Sequence, residues 1–451
     1  MFKKFFVFLM FFSLCVFSQN ALNRGAFNIL GFGARAMGMG GAFIAIADDA
    51  TAASWNPAGL SQMTSSEISL VYDMYKGDVT WEDYEETNWS DGYSYVWQSV
   101  KDEGSTDYSS LAFLSYSMPV QIGNKNLVWQ LSYSNLASPP DFENNYTYNG
   151  TVYYNGDAIY TEDLEGKWES SGSGAFKTLT LSLGYQIVSN FHMGISLNYL
   201  DTNYKETFKD SGNITNSLGE SYVFSSSSTR KYDFSDFYFD LGFLYKTEFF
   251  SFGGVWHSGF KASGKLKGSN EDLVSGREDY SYDVDVEWPS GYGFGVAVRP
   301  IKSLTFALDY SKSNWKDGKI TFTDFDETTY FPYLFYDRQF NTSSLRFGME
   351  YVLFVKENVV VPLRAGYFQE DRIAAWFVGG EKPKVDGFTL GSGVTLKNFQ
   401  IDFAFVRTEG KESATGSYDG FDEYGTYYTG TYDASIKDTQ DRFILSFIYK
   451  F

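Results

Sequence analysis

The chain has 451 residues, with 43 Phe, 35 Tyr, 10 Trp and 43 Gly but 9 Pro, a mean hydropathy of −0.28 and a formal charge of −20. The acidic balance argues against nucleic acid as a partner. One cysteine, Cys15, leaves no basis for a disulfide framework or a zinc–thiolate site.

The first residues read as a targeting segment. Lys3 and Lys4 form a basic start, and residues 5–17 are apolar but too short to span a bilayer as a helix. Val16-Phe17-Ser18 predicts cleavage after Ser18, giving a signal peptide over residues 1–18. Leu14 is too large for lipoprotein processing at Cys15. Loss of two lysines takes the formal charge from −20 to −22 and removes the only thiol.

Residues 31–60 follow as GFGARAMGMGGAFIAIADDATAASWNPAGL. The GxGxxA at its start could open a dinucleotide-binding loop, but that reading needs a strand before it, a helix after it and an acid about twenty residues on. No βαβ alternation follows, and Asp48 and Asp49 come too early. A compact, small-residue plug is the reading that remains.

No apolar run of helix-spanning length occurs after the leader. Beyond residue 65 the chain instead alternates apolar and polar in segments of about ten residues, the period of strands with two different faces. Leu127, Trp129, Leu131 and Tyr133 oppose Val128, Gln130, Ser132 and Ser134; Phe191, Met193, Ile195, Leu197 and Tyr199 oppose His192, Gly194, Ser196 and Asn198. The last run, Phe443, Leu445, Phe447, Tyr449 and Phe451, is the clearest. Its Phe447, Tyr449 and Phe451 look like the signal read by the barrel-insertion machinery.

Connectors alternate in length. Short turns fall near residues 121–126, 189–190, 247–248, 301–302, 356–358 and 397–398. Long, acidic, Tyr/Ser/Gly-rich connectors fall near 77–107, 137–175, 202–230, 260–287, 314–340, 370–385 and 408–439. Six short turns and seven long loops join fourteen strands with both ends on the short-turn side. That is the plan of an all-β, antiparallel transmembrane β-barrel in the bacterial outer membrane, in contact with its lipid. Its lumen is too wide for wall side chains to fill, so residues 19–64 are expected inside it as a small hatch, with residues 65–451 as the barrel.

The order of leader, GARAMGMGGAFIAIADDATAASWNPAGL, fourteen strands and terminal Phe451 resembles the long-chain fatty-acid transporter (FadL/TodX-like) outer-membrane proteins, over essentially the whole mature chain. The resemblance implies an N-terminal hatch that carries an Asn-Pro-Ala turn, here Asn56-Pro57-Ala58. It implies a hydrophobic small-molecule ligand, taken from outside and released through a gap in the wall, with a kink in the third strand (about 126–136) as the opening; Ser134-Asn135 and Pro139-Pro140 would loosen pairing there. Proteins similar to the type IX secretion shuttle use the same fold to bind secreted proteins, and the motif does not separate the two uses.

Candidate functional residues follow. Asn56, Pro57, Ala58 and Gly59 are expected to form a tight gating turn, with Gly59 in left-handed geometry. Gly33, Gly38, Gly40 and Gly41 would let the hatch approach the wall, while Arg35, Asp48 and Asp49 pair with inward charges. Asp240, Asp309, Arg346, Glu350, Arg364, Asp402 and Arg442 are read as inward-facing. Arg346 and Glu350, four apart on one strand, could pair or meet hatch groups; a hydrated, charge-balanced lumen is the bland alternative to substrate contact. His192 and His257 lie at opposite ends of their strands and sit in no nucleophile motif, so no catalytic role is expected. The acids Glu82, Asp83, Glu85 and Glu86, and the alternating Asp283, Asp285 and Glu287, could hold a divalent cation but read more simply as solvated surface. No metal or cofactor is expected.

Overall fold

Fourteen strands, all antiparallel to their neighbours, close into one barrel in a computed structural model that describes residues 31–90, 93–135, 141–155, 160–272, 276–323, 327–330, 341–371, 384–421 and 427–451. In chain order they are β1 (Glu67–Ser90), β2 (Tyr93–Ile122), β3 (Lys125–Asn135 and Asp141–Asn155), β4 (Tyr160–Val188), β5 (Phe191–Asn216), β6 (Ser221–Lys246) and β7 (Phe250–His257 and Phe260–Asp272). Then come β8 (Gly276–Trp288 and Gly291–Ile301), β9 (Leu304–Ser313 and Lys319–Phe322), β10 (Glu327–Tyr330 and Thr342–Lys356), β11 (Val359–Asp371), β12 (Lys384–Leu396), β13 (Phe399–Phe421) and β14 (Tyr427–Lys450). Pairing of β1 with β14, from Glu67 opposite Lys450, closes the cylinder. Closure leaves no open edge, as strands in hydrocarbon require.

Alternation sets the two faces. On β4, Leu181 is 49% exposed while Ser182 is fully buried; on β9, Leu308 is 43% exposed and Ala307 only 3%. Leu179, Met193, Leu197, Phe347, Phe443 and Phe447 share the exposed face with them. An exposed apolar belt around a closed barrel is a surface for lipid, because water would penalise it.

The short turns fall where the sequence places them, and left-handed residues help make three: Gly123, Asn358 and Lys397 have φ of 66°, 64° and 51°. The long connectors differ from expectation. Where they are described, several are chiefly strand: β1 runs 24 residues, β4 29, and β5 and β6 26 each, against about ten needed to cross the membrane. The wall therefore continues past the membrane as paired hairpins rather than irregular loops. Their outward faces turn polar while inward residues such as Tyr204, Phe208, Val284 and Val286 stay buried, so the apolar side changes face while backbone pairing persists.

Two of the expected features fall outside the described residues: the signal peptide with residues 19–30, and Pro139-Pro140. The register of the third strand shifts against β2 between its two described parts. Ser134 pairs with Phe113 and Glu143 with Asp107, so nine steps along β3 match six along β2.

Candidate functional site

Residues 31–66 contain no strand. They form a short helix, Ala34–Gly38, and two 3-10 turns, Ala52–Ser54 and Pro57–Gln62, and almost every residue is buried against the inner faces of the strands. Phe43, Trp55 and Leu60 are the large apolar side chains, packed with Ala34, Ala36 and Ala47 into one cluster that includes Ala307 and Ala404 of the wall.

Asn56 ties this segment to itself and to the barrel. Its Oδ1 accepts from Ala58 N at 3.1 Å, while Nδ2 donates to Ile44 O at 3.0 Å and to Phe243 O on β6 at 2.9 Å. Asn56 is extended (φ −158°) and caps the 3-10 turn that Pro57 begins with its fixed φ. Gly59 requires a correction. It is not in the left-handed region; a side chain there would overlap Ala47 O, so space rather than φ excludes one. Left-handed backbone occurs instead at Gly33, Gly40 and Gly41, with φ of 112°, 66° and 74°. At Gly40 the backbone passes so close to β10 and β11 that an added Cβ would lie 2.7 Å from Phe347 O.

The wall answers with glycines that the sequence reading did not single out. Gly184, Gly194 and Gly242 stand directly opposite one another on β4, β5 and β6. A Cβ on Gly184 would meet Leu60 Cβ at 2.8 Å, one on Gly194 would overlap Pro57, and one on Gly242 would overlap Asn56. Gly348 and Gly366, paired across β10 and β11, make room in the same way for Met39 and Gly40. The available signal was a glycine at an inward position of successive strands.

Charges complete the attachment. Arg35 donates from Nε and Nη2 to the two oxygens of Glu350, both at 3.0 Å, and from Nη1 to Asp48 at 2.6 Å, with Asp49 at 3.6 Å. Glu350 also accepts from Arg364 at 2.6 Å, and Arg364 reaches Asp402 at 2.7 Å. A chain of alternating charges thus runs from the N-terminal segment across β10, β11 and β13. Burial opposes ionisation of Asp48, but Arg35 and Lys246 outweigh it and hold the carboxyl well below the usual range. Burial instead raises Asp49, despite Arg35 and a bond from Thr51. Asp309 accepts from Phe43 N at 2.6 Å and Ile44 N at 2.8 Å. Arg346 lies inward with Glu350 but bonds Ser311 and Glu370 instead, at 3.3 and 3.4 Å. Arg442 is paired with Asp73.

Asp240, outward of the Gly242 contact on β6, bonds not the segment but His257 Nδ1, at 2.6 Å, and Asn198 Nδ2, at 2.8 Å. His192 meets Ser61 Oγ at 2.7 Å, and that hydroxyl donates to Ala58 O, so its proton is engaged away from the imidazole. Asp283, Asp285 and Glu287 form a cross-strand ladder with Lys265, Lys261 and Lys319, and Lys437 pairs with Glu82. The side chains of Asp83, Glu85 and Glu86 lie outside the described set. Among the described residues no group of three metal-ligating side chains converges.

Outward of the segment, a second buried cluster lines β4 to β9. It comprises Phe176, Leu200, Tyr204, Phe234 and Trp315, with Tyr238, Phe260 and Trp288 packed against them. Phe260 stacks between Tyr238 and Trp288, at centroid distances of 5.6 and 5.5 Å.

A closed antiparallel wall that turns its apolar side outward has counterparts among solved structures. The chain has the FadL-type fold. It is similar to a Pseudomonas aeruginosa FadL homologue at 16% identity, covering 94% of this chain and 99% of that one with a TM-score of 0.61. It is similar to the Pseudomonas putida toluene transporter TodX (15%, 94% and 100%, 0.54) and to the CymD monoaromatic hydrocarbon channel (15%, 94% and 99%, 0.51). No family model and no curated protein matches the chain. At such identity the FadL-type fold is what is shared.

Proposed function

We propose that this protein is an outer-membrane channel for hydrophobic small molecules. A solute enters between the outer hairpins, rests in the aromatic cluster of β4 to β9, and passes when the N-terminal segment shifts as a hatch. The observation that carries this reading is the layering of the lumen. A buried aromatic lining stands outward of a compact segment held to the wall by hydrogen bonds and ion pairs, contacts that can break and reform, with no covalent link among the described residues. The names of the structural counterparts, a toluene transporter and a monoaromatic hydrocarbon channel, support the same solute class.

Exit through the wall would use β3, where nine steps from Ser134 to Glu143 match six along β2. Buried Asn135 Oδ1, beside that shift in register, has no hydrogen-bond partner among the described residues. Long Tyr-rich hairpins standing off the membrane favour a second reading, a barrel that binds a secreted protein. Extraction of the purified protein followed by mass spectrometry of the bound molecules separates them. A stoichiometric apolar small molecule supports the channel; co-purification with the C-terminal domain of an exported protein, and no such molecule, supports the second reading.

A further inference from the structure

Between the glycine contacts of β4 to β6 and the aromatic cluster lies a polar row that attaches nothing to the N-terminal segment. Thr180 Oγ1 donates to Asn198 Oδ1 at 2.7 Å, Asn198 Nδ2 donates to Asp240 Oδ2 at 2.8 Å, and Asp240 Oδ1 meets His257 Nδ1 at 2.6 Å. The row crosses β4, β5, β6 and β7, and it ends on an atom with nothing to bond. His257 Nε2 is buried and has no hydrogen-bond partner. Along β7 the inward positions run from Ser251, which donates to Ala45 O of the segment, through Gly253, which touches Ile44 and Asn56, to Val255 and His257. Phe260 and Ala262 of the aromatic cluster come next. The orphan nitrogen therefore sits at the boundary between the segment and the aromatic lining.

The row fixes what that nitrogen can do. A carboxylate oxygen only accepts, so Asp240 sets a proton on Nδ1, and in the Nδ1–H tautomer Nε2 is an acceptor. Each oxygen of Asp240 already accepts one hydrogen bond from the row. We propose that His257 Nε2 accepts the hydroxyl hydrogen of a neutral aromatic solute, a phenol or aryl alcohol, whose ring lies in the aromatic cluster. This rests on the channel reading above. The row contains no cation, and its one charge is the carboxylate of Asp240, so an anionic head is disfavoured there. Lys246 and Arg299 lie on the far, short-turn side, where they meet Gln62 and Ser251. A buried acceptor without a partner carries a desolvation cost that a hydroxyl donor removes and a bare hydrocarbon does not.

Isothermal titration of the full chain in detergent with p-cresol, toluene and p-toluate tests this. p-Cresol is expected to bind about five- to tenfold tighter than toluene, which converts to one net hydrogen bond, and p-toluate weakest. His257→Phe should erase the p-cresol preference and leave toluene binding near its original value. Equal binding of p-cresol and toluene by the native protein, tightest binding of p-toluate, or a preference that survives His257→Phe overturns the assignment while leaving the channel reading intact. Binding of none of the three overturns the channel reading together with it. If the variant does not fold, the native ratio still decides, and His257→Asn, which keeps polarity but pulls the acceptor back from the ring position, should lower that ratio.

Discussion

Asn56 holds three backbone groups at once, two in its own segment and one on the wall, which makes it the most informative single residue. Replacing it with Ala leaves Ile44 O, Phe243 O and Ala58 N to find other partners and should loosen the segment by about 3 kcal/mol, since a buried polar group left unpaired costs about 1–3 kcal/mol. The barrel is unaffected by that change, because the strand ladders hold it. The expected outcome of Asn56→Ala is faster amide exchange within residues 31–66, impaired solute uptake and little change in ionic conductance. Unaltered exchange would show that Asn56 does not fix the segment. That Asn56-Pro57 forms a turn is legible from residue chemistry alone. Why Gly59 is glycine is not, because its constraint is the nearness of Ala47, twelve residues earlier in the chain, rather than its own φ. The same holds for Gly184, Gly194 and Gly242, whose partners are chosen only when the strands align.

At the scale of strands, alternation specifies the lipid face, and it does so because hydrocarbon tolerates one kind of side chain. Leu308→Arg should destabilise the barrel by about 2–4 kcal/mol if it lies near the midplane, whereas Ala307→Ser, one residue along and inward, should cost under about 1 kcal/mol. Urea titration of folding into liposomes measures both, and equal costs would place the register wrong. The strand ends were less legible. Where the wall leaves the membrane, its outward face carries lysine–acid ladders such as Lys261 with Asp285 and Lys319 with Glu287 while Val284 and Val286 stay buried, so those residues read as loop. At the other end of the barrel, β14 brings Phe447, Tyr449 and Phe451 to the exposed face, with the Phe451 ring 5.8 Å from Tyr449 and 6.1 Å from Tyr116. Phe451 N also donates to Ser66 O at 3.0 Å. We propose that this aromatic end is read by the insertion machinery. Deleting Phe451 should lower the amount of heat-modifiable, membrane-inserted barrel without affecting leader cleavage; normal insertion would argue against it.

Across the whole molecule, wall and N-terminal segment are mutually shaped but not equally dependent. The wall closes through backbone pairing from β1 round to β14, and none of those ladders passes through residues 31–66. The segment, by contrast, takes its conformation from the wall: Asp309 holds Phe43 and Ile44, Glu350 holds Arg35, and Ser446 Oγ accepts from Ala34 N at 2.7 Å. Sequence could place such a segment inside a barrel from its small residues and the width of the lumen, but these partners depend on register and become visible only in the folded chain. The asymmetry predicts what removal does. A chain lacking residues 21–60 should still form a heat-modifiable barrel, destabilised because Glu350, Arg364 and Asp309 lose partners but not unfolded. In planar bilayers its conductance should rise clearly above that of the full chain, because the inner cluster of Phe43, Trp55 and Leu60 no longer fills the cross-section. In the full chain, the same residues should resist protease added from the short-turn side. Unchanged conductance after deletion, with free cleavage of residues 21–60 in the intact protein, would mean that the segment does not occlude the barrel and that passage is controlled elsewhere.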